Sequence, residues 1–333
     1  MATEPQRFNL GDLPLQRGGV LRDAQLAFAT FGQLNATGDN AVLLPSYYTG
    51  NHDSYHAWIG AGRPLDPARH FIIAVNQFGN GYSTSPSTSL AQPGSSFPAL
   101  ALGDSVNAQA RLLEHLGVNS LALVAGWSMG AMQAFEWAVH YPNKVRALLA
   151  VCGTARCWPI NQVFLEGVRA ALQADGAYAN GAYSTPPTRG LRAFGRAYAG
   201  WAYCAEFFRD GLYRGMGFST LEALLRDWED DHCQHDANDL LAVLDAWHHG
   251  DPSRQRHGLR LSEALAEVQA RCILMPSNTD AYFVAEEARI EWACVKNADW
   301  RPLMSPYGHC AGAPGRFKAE SVKVEQAIRD LLR

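Results

Sequence analysis

Short apolar runs that alternate with helical patterns restrict the fold of this 333-residue chain more than any other feature. Five such runs occupy residues 41–44, 71–75, 121–125, 147–151 and 272–275. Strands that are apolar along their whole length are typical of a parallel sheet that helices cover on both faces. Helical patterns at 105–116, 131–140 and 319–332 supply that cover, and residues 21–31 resemble antiparallel edge strands. The sequence therefore predicts an α/β fold with a mostly parallel sheet.

The strand pattern stops between residues 155 and 267, where the chain is helical and rich in aromatic residues. We predict that this stretch, hereafter the cap segment, is a helical insertion into an α/β core formed by residues 1–154 and 268–333. An insertion at this point covers the carboxyl ends of the strands, where open α/β sheets bind ligands. Within it, residues 174–190 include Pro186-Pro187 and predict a flexible loop.

A Gly-x-Ser-x-Gly motif, Gly126-Trp127-Ser128-Met129-Gly130, lies between the third apolar run and the next helical pattern. A serine on a sharp strand-to-helix turn exposes its hydroxyl at the edge of the sheet, and the flanking glycines avoid clashes in that turn. The amides of the following helix favour negative charge at the same point. A chain with 30 glycines could contain the motif by chance, as an ordinary small-residue turn. The strand–turn–helix context favours Ser128 as a nucleophile.

A serine nucleophile needs a base, and the base needs an orienting carboxylate. In α/β-hydrolases the three residues follow the chain order Ser, acid, His. Asp280 follows the apolar run 272–275, and His309 follows the run 301–305. Because both come after a predicted strand, we expect them at the same sheet edge as Ser128. The sequence predicts a Ser128–His309–Asp280 triad.

The oxyanion formed in acyl transfer needs two backbone N–H donors. The first is expected to be the amide after the nucleophile, that of Met129. The second is expected from the loop that follows the run 41–44; we choose Tyr48, with Tyr47 as the second choice. Both tyrosines could instead line a pocket, which is compatible because the donor is the backbone.

Several of these residues also have simpler explanations. Asp280 could cap a helix at 285–292, and His309 could be a loop histidine without a role. Asp299 is a competing acid, but it precedes the last predicted strand and so belongs at the opposite edge. The pair His248-His249 and the cluster at 231–235 suggest a metal site, which needs three or four convergent ligands. Surface polar residues are the favoured interpretation, and no metal is predicted.

Composition excludes several classes of function. The net charge of −4 comes without a basic block, which argues against nucleic acid and anionic membrane surfaces as partners. No apolar run approaches the roughly 18 residues of a membrane span, and the polar N-terminus lacks the core of a signal peptide. Seven cysteines without a CxxC pair indicate free thiols and a cytoplasmic location. No Gly-x-Gly-x-x-Gly follows the first strand and no P-loop is present, so no cofactor is predicted.

Much of the chain resembles the homoserine O-acetyltransferase branch of the α/β-hydrolase superfamily. The matching stretches are Tyr48-Thr49-Gly50, Gly60-Ala61-Gly62-Arg63-Pro64-Leu65-Asp66, Asn76-Gln77-Phe78-Gly79-Asn80-Gly81, 126–137 with Tyr141-Pro142, Asp236-Ala237-Asn238 and Ser305-Pro306-Tyr307-Gly308-His309. The resemblance implies an α/β-hydrolase fold, the triad above, a covalent acyl-enzyme, a helical lid and a homodimer.

Two departures from that branch concern the substrate. The acetyltransferases hold the substrate carboxylate with an arginine in a cap helix, a role suited to its bidentate fork. Here Gly200 stands at the corresponding position, and Arg196 lies one turn earlier. The branch also follows its catalytic histidine with an aspartate, where this chain has Cys310. A zwitterionic acceptor such as homoserine therefore has little to bind it.

Aromatic residues of the cap segment instead suit an uncharged, apolar substrate. We predict a substrate pocket formed by Tyr47, Trp127, Trp201, Tyr203 and Phe207, with Phe208 nearby. The predicted function is a serine esterase that cleaves small short-acyl esters, in particular acetyl esters. The alternative is an acyl-CoA-dependent O-acyltransferase, which shares every step up to the acyl-enzyme. A non-catalytic ligand-binding α/β-hydrolase is a third interpretation, against which the intact Ser, Asp and His argue.

Overall fold

Eight strands form one sheet in the order β1-β2-β4-β3-β5-β6-β7-β8 in the computed structural model, which describes residues 3–254 and 259–333. Strands β3 to β8 are parallel to one another, whereas β2 is antiparallel to both β1 and β4. The α/β fold with a mostly parallel sheet is thereby confirmed. The strands are β1 (Gln6–Pro14), β2 (Val20–Phe31), β3 (Ala41–Pro45), β4 (Phe71–Val75), β5 (Leu121–Trp127), β6 (Ala147–Val151), β7 (Arg271–Met275) and β8 (Ala298–Trp300).

Ten α-helices accompany this sheet in the described part of the chain. Alternate residues of β3 belong to two separate hydrophobic clusters, because successive side chains of a strand point to opposite faces. Helices α1 and α2 contribute to one cluster and α10 to the other, so both faces are covered. The helices are α1 (Leu102–His115), α2 (Met129–His140), α3 (Pro159–Gln173), α4 (Thr188–Ala202), α5 (Ala205–Arg209), α6 (Leu221–His232), α7 (Ala237–His248), α8 (Leu261–Ala266), α9 (Ala285–Trp292) and α10 (Lys318–Leu331).

The two ends of the sheet differ from the sequence prediction. Residues 21–31 are not edge strands but the single strand β2, which β1 separates from the edge. Strand β1 escaped detection because most of its side chains are exposed and it has no apolar run. At the other end the strand is β8, and residues 301–305 follow it rather than form it. Beyond β8 the further pairing among these residues is an isolated bridge between Leu303 and Ser277, in which the Leu303 amide donates to the Pro276 carbonyl at 2.8 Å.

Helices α3 to α8 all lie in the cap segment, between β6 and β7. Helix α4 packs against both α3 and α6, and α3 also packs against α7. The loop predicted at 174–190 contains a 3-10 helix at Gly176–Gly181. Asp175 orders it, since its carboxylate accepts from the amides of Ala177 and Gly190 at 3.0 and 2.9 Å. The exact division into core and cap remains a prediction.

Among residues 3–254 and 259–333, no helix has the length and apolar character needed to cross a membrane.

Candidate active site

Ser128 occupies the turn between β5 and α2 with φ 59° and ψ −128°, a conformation that non-glycine residues seldom adopt. The turn is crowded on both sides. A Cβ on Gly126 would lie 2.1 Å from the carbonyl carbon of Gly130, and one on Gly130 would lie 2.7 Å from the carbonyl oxygen of Pro45. Backbone atoms cannot yield as a flexible side chain can. The steric reason for both glycines is therefore present at this turn.

His309 and Asp280 form a buried pair. Nδ1 of His309 lies 2.6 Å from Oδ2 of Asp280, and the two side chains are 3% and 0% exposed. The second oxygen, Oδ1, accepts from the amides of Tyr282 and Phe283 at 3.2 and 3.0 Å. Asp280 does not cap helix α9, whose N-cap residue is Val284. The carboxylate is thus held from both oxygens and faces the imidazole.

The loops that carry this acid and this histidine are joined by side chains that the sequence did not single out. The hydroxyl of Thr279 donates to the carbonyl of Ser305 at 2.7 Å and accepts from the amide of Gly308 at 3.2 Å. Asn278 accepts from the amide of Ser305 at 2.8 Å. These bonds fix the distance between the two loops.

Aromatic rings enclose the His309 imidazole. Trp127 and Phe283 stack on it with ring centroids 5.0 and 5.4 Å away, and Tyr282 lies 4.5 Å away. Nε2 makes no hydrogen bond within the part of the chain that the structure describes. With the proton on Nδ1 facing the carboxylate, Nε2 is the free basic atom. Ser128 Oγ is not bonded to it, but both residues line one cavity.

Two backbone amides near Ser128 are free to donate. Met129 is the first residue of α2, so its amide has no acceptor within the helix. The Tyr48 amide donates to no other described residue. Tyr47 and Tyr48 are both lining residues of the cavity.

The cavity in front of Ser128 has a volume of about 640 Å³. Of the predicted pocket residues, Tyr47 and Trp127 line it, whereas Trp201, Tyr203 and Phe207 are not among its described lining residues. Tyr203 and Phe207 are buried and stack on each other at 3.9 Å inside the cap segment. The lining comprises Tyr47, Tyr48, Thr49, Trp127, Ser128, Tyr198, Ala202, Asp227, Trp228, Asp230, Asp231, His232, Gln234, Tyr282, His309, Cys310, Ala313, Pro314 and Arg316.

Helix geometry explains which residues of α4 line the cavity. Tyr198 and Ala202 lie four residues apart on α4 and therefore share the face that meets the cavity. Trp201 packs against Phe164, with 5.5 Å between ring centroids, and is not among the described lining residues. The spacing of Tyr198 and Ala202 was a usable signal, but it required knowing which face of α4 turns inward.

Charged side chains at the cavity were also missed. Asp227, Asp230 and Asp231 come from α6, and Arg316 follows the 3-10 helix Gly308–Gly312. Arg316 donates to the hydroxyl of Tyr203 at 2.8 Å. The cavity wall is therefore less apolar than predicted, because three carboxylates and one guanidinium line it together with the aromatic residues.

Neither departure from the acetyltransferase pattern brings a charge to the cavity. Gly200 is exposed on α4, with open space where a Cβ would lie. Arg196 forms ion pairs with Glu222 and Glu229 of α6 and is not a lining residue. Burial raises the pKa of the Cys310 thiol, which favours its neutral form. The guanidinium of the cavity is that of Arg316.

The histidines considered as metal ligands behave differently from one another. His232 is not a surface residue, because it is 2% exposed and lines the cavity, and burial lowers its pKa. His248 and His249 lie 3.5 Å from Glu166 and Asp245 respectively. Within residues 3–254 and 259–333, no three His, Cys, Asp or Glu side chains are arranged to hold a metal ion.

Comparison with known proteins finds the same fold and two kinds of activity. Residues 41–192 match the family described as alpha/beta hydrolase fold. An ethyl acetate hydrolase of Pseudomonas veronii is 38% identical over 96% of this chain and 91% of its own length. A homoserine O-acetyltransferase of Trichormus variabilis is 33% identical over 89% of this chain and 86% of its own. A structure of the acetyl esterase MekB has a TM-score of 0.95 at 35% identity, over 99% of this chain and 97% of that one. These similarities confirm the resemblance found in the sequence.

Proposed function

This chain belongs to the alpha/beta hydrolase fold family, and we propose that it is a carboxylic ester hydrolase that cleaves small short-acyl esters, acetyl esters in particular. The observation that carries the proposal is the buried His309–Asp280 pair, whose histidine lines the same cavity as Ser128. The similarity to an ethyl acetate hydrolase and an acetyl esterase supports the substrate class.

The first half-reaction transfers the acyl group to the enzyme. The Ser128 oxygen attacks the ester carbonyl carbon while the hydroxyl proton passes to Nε2 of His309. The amides of Met129 and Tyr48 donate to the oxyanion of the tetrahedral intermediate. The bond to the alkoxy group then breaks, and His309 returns its proton to the leaving alcohol. The proton transfer needs Ser128 Oγ and His309 Nε2 about 3 Å apart. In unliganded enzymes this distance is often longer, and it shortens when substrate binds.

The second half-reaction releases the acid. His309 removes a proton from water, whose oxygen attacks the acyl carbon bound to Ser128. Collapse of the second intermediate breaks the bond to the serine oxygen, and His309 gives that oxygen its proton back. Asp280 stays ionised throughout, holds the imidazole tautomer and stabilises the imidazolium that forms twice in each cycle.

The charge around the cavity favours water over acyl-CoA chemistry. Three carboxylates line the wall, those of Asp227, Asp230 and Asp231. Arg316 lines it too, and Asp230 pairs with Arg192 at 3.0 Å. Asp230 and Asp231 are mostly exposed, which places them at the mouth. A polyphosphate carrier such as acyl-CoA would be repelled there, whereas a neutral ester would not. An acyl-CoA-dependent O-acyltransferase remains the second candidate, because a homoserine O-acetyltransferase matches most of the chain.

Hydrolysis of p-nitrophenyl acetate tests the proposal directly. We expect Ser128→Ala to lower kcat at least about 10³-fold, since the variant loses the nucleophile. Ser219→Ala, a change at an exposed serine of the cap segment, should keep wild-type activity. Wild-type enzyme should release no thiol from acetyl-CoA in the presence of L-homoserine. Release of free thiol from acetyl-CoA that depends on homoserine would contradict the hydrolase proposal and support the O-acyltransferase.

A further inference from the structure

Buried glutamine side chains lie behind the loop that carries the Tyr48 amide. Gln77 follows β4, Gln109 is on α1 and Gln133 is on α2, and all three are at most 2% exposed. Burying an amide is costly unless its polar atoms are hydrogen-bonded. None of the three lines the cavity, so substrate contact does not explain them.

The three glutamines form a row of hydrogen bonds, and the indole of Trp137 determines which atom of each side-chain amide donates. Trp137 Nε1, which can only donate, lies 2.7 Å from Oε1 of Gln109. Gln109 must therefore turn its NH₂ toward Gln133, whose Oε1 is 2.8 Å away. Gln133 in turn presents its own NH₂ to the carbonyl oxygen of Ser46, at 2.8 Å. Each amide has only one orientation that satisfies its neighbours.

Gln77 extends the row to the next peptide. The NH₂ of Gln133 lies 3.5 Å from Oε1 of Gln77, so the NH₂ of Gln77 is left for the Tyr47 carbonyl oxygen, at 3.0 Å. The backbone amide of Gln77 also donates to the hydroxyl of Ser46 at 3.0 Å. Two successive carbonyls of the loop are thus held by side-chain amides.

The planarity of the peptide bond transmits this anchoring to the oxyanion donor. The carbonyl oxygen of Tyr47 and the N–H of Tyr48 belong to one trans peptide and point in opposite directions. Gln77 holds the oxygen on the protein interior, so the N–H is directed to the other side, where the cavity lies. Gln133 stands one helical turn after Met129, so it also ties the loop to the helix that carries the first donor.

We propose that Gln77 and Gln133 are positioning residues that fix the Tyr48 amide as the second oxyanion donor, with Trp137 and Gln109 setting their orientation. The inference rests on the proposed esterase function. Complete loss of an oxyanion donor typically lowers turnover by about 10²–10³. Since Gly50 also donates to the Tyr47 carbonyl, loss of the Gln77 bond should loosen the donor rather than remove it.

Gln77→Met and Gln133→Met test the inference on the full-length enzyme. We expect kcat for p-nitrophenyl acetate to fall about 10–100-fold with KM changed less than about threefold, because the oxyanion exists only in the transition state. Affinity for a trifluoromethyl ketone, whose adduct with serine carries an oxyanion, should fall by the same factor as kcat/KM. The concentration of competent sites is titrated with an organophosphate, so misfolded protein does not enter kcat.

Gln162→Met is the matched control. Its side-chain NH₂ also donates to a backbone carbonyl, that of Cys157, but in the cap segment. It should lower thermal stability without changing kcat. If Gln77→Met does not fold, Gln77→Leu is the second variant, since its side chain likewise has no donor for the Tyr47 carbonyl. Wild-type kcat and ketone affinity in the folded Gln77 variant would overturn this inference alone. Absence of Ser128-dependent hydrolysis in the wild type would overturn the esterase proposal and the inference with it.

Discussion

His309 Nδ1 lies 2.6 Å from Asp280 Oδ2, while the other oxygen of that carboxylate accepts two backbone amides. The acid is therefore oriented independently of the histidine that it faces. This arrangement can hold one imidazole tautomer through a whole catalytic cycle, because the carboxylate does not rotate when the imidazole gains a proton.

Asp280→Asn should lower kcat for p-nitrophenyl acetate by about 10³–10⁴-fold. An asparagine that keeps its oxygen on the amides of Tyr282 and Phe283 turns its NH₂ to the imidazole and favours the wrong tautomer. Asp299→Asn is the matched control, since Asp299 is the competing acid but lies on β8 and pairs with Arg301, the residue after that strand. Activity that survives in the Asp280 variant and is lost in the Asp299 variant would reverse the assignment.

Gly130→Ala and Gly200→Ala should change stability in opposite directions. The new methyl on residue 130 would meet the Tyr55 hydroxyl at 2.6 Å and the Pro45 carbonyl at 2.7 Å, so we expect a loss of about 1–3 kcal/mol. The methyl on residue 200 meets nothing within 4 Å and improves helix propensity, for a gain of roughly 0.5–1 kcal/mol. Urea unfolding measures both, and equal effects would contradict the described packing.

Glu291→Ala should lower the free energy of unfolding by about 2–4 kcal/mol. The buried carboxylate on α9 accepts from the amides of Ala155 and Arg156 and from the Trp158 indole, at 2.6, 3.2 and 2.8 Å. Removal leaves three donors without an acceptor where the cap segment begins. Glu286→Ala, on the same helix but 78% exposed, should stay within about 0.5 kcal/mol of wild type. A similar loss in both variants would show that α9 itself, and not this anchor, is responsible.

Asp239 should make stability fall as pH rises between about 4 and 7. Burial raises the pKa of its carboxyl from 3.8 to about 7, although Ser87 donates to it. In this window the unfolded chain ionises first while the native state keeps its proton, so rising pH favours unfolding, and the effect levels off above pH 7. Asp239→Asn should therefore lose less stability than wild type between pH 5 and 8, whereas Asp12→Asn, at an exposed position, should follow wild type. The free energy of unfolding is measured by urea titration at each pH. An equal change with pH in wild type and Asp239→Asn would contradict the prediction.

Much of the sheet and the order of the site residues could be predicted because both are marked locally. Strands β3, β4 and β6 are buried at every position, and that produces an uninterrupted apolar run in the sequence. The turn at Ser128 leaves a motif because its backbone rejects a Cβ at two fixed positions. Asp280 and His309 were identified from their places after predicted strands, although the second of those, 301–305, is not itself a strand. Their catalytic roles stay predictions until the variants are measured.

The cavity wall could not be predicted in the same way, because it depends on how the cap helices turn against one another. Aromatic residues are equally suited to a pocket and to a helix interface, and Tyr203 with Phe207 forms the interface. Arg316 reaches the cavity from a segment without any motif. The orientation of Gln109 likewise depends on Trp137, a residue 28 positions away.

The cap segment leaves the sheet after β6 and returns at β7, and these strands pair with each other from Ala147↔Arg271 to Val151↔Met275. Because the two strands are parallel, the segment leaves at the carboxyl end of β6 and returns at the amino end of β7, so its two ends lie at opposite edges of the sheet. Helices can be lengthened, shortened or exchanged between those ends without altering the register of any strand. Changes in α4 and α6 can therefore alter the wall of the cavity while Ser128 and His309 stay where they are. Of the two departures from the acetyltransferase pattern, Gly200 lies in the cap segment and Cys310 in the predicted core, so the difference between a hydrolase and a transferase is not confined to the cover of the sheet.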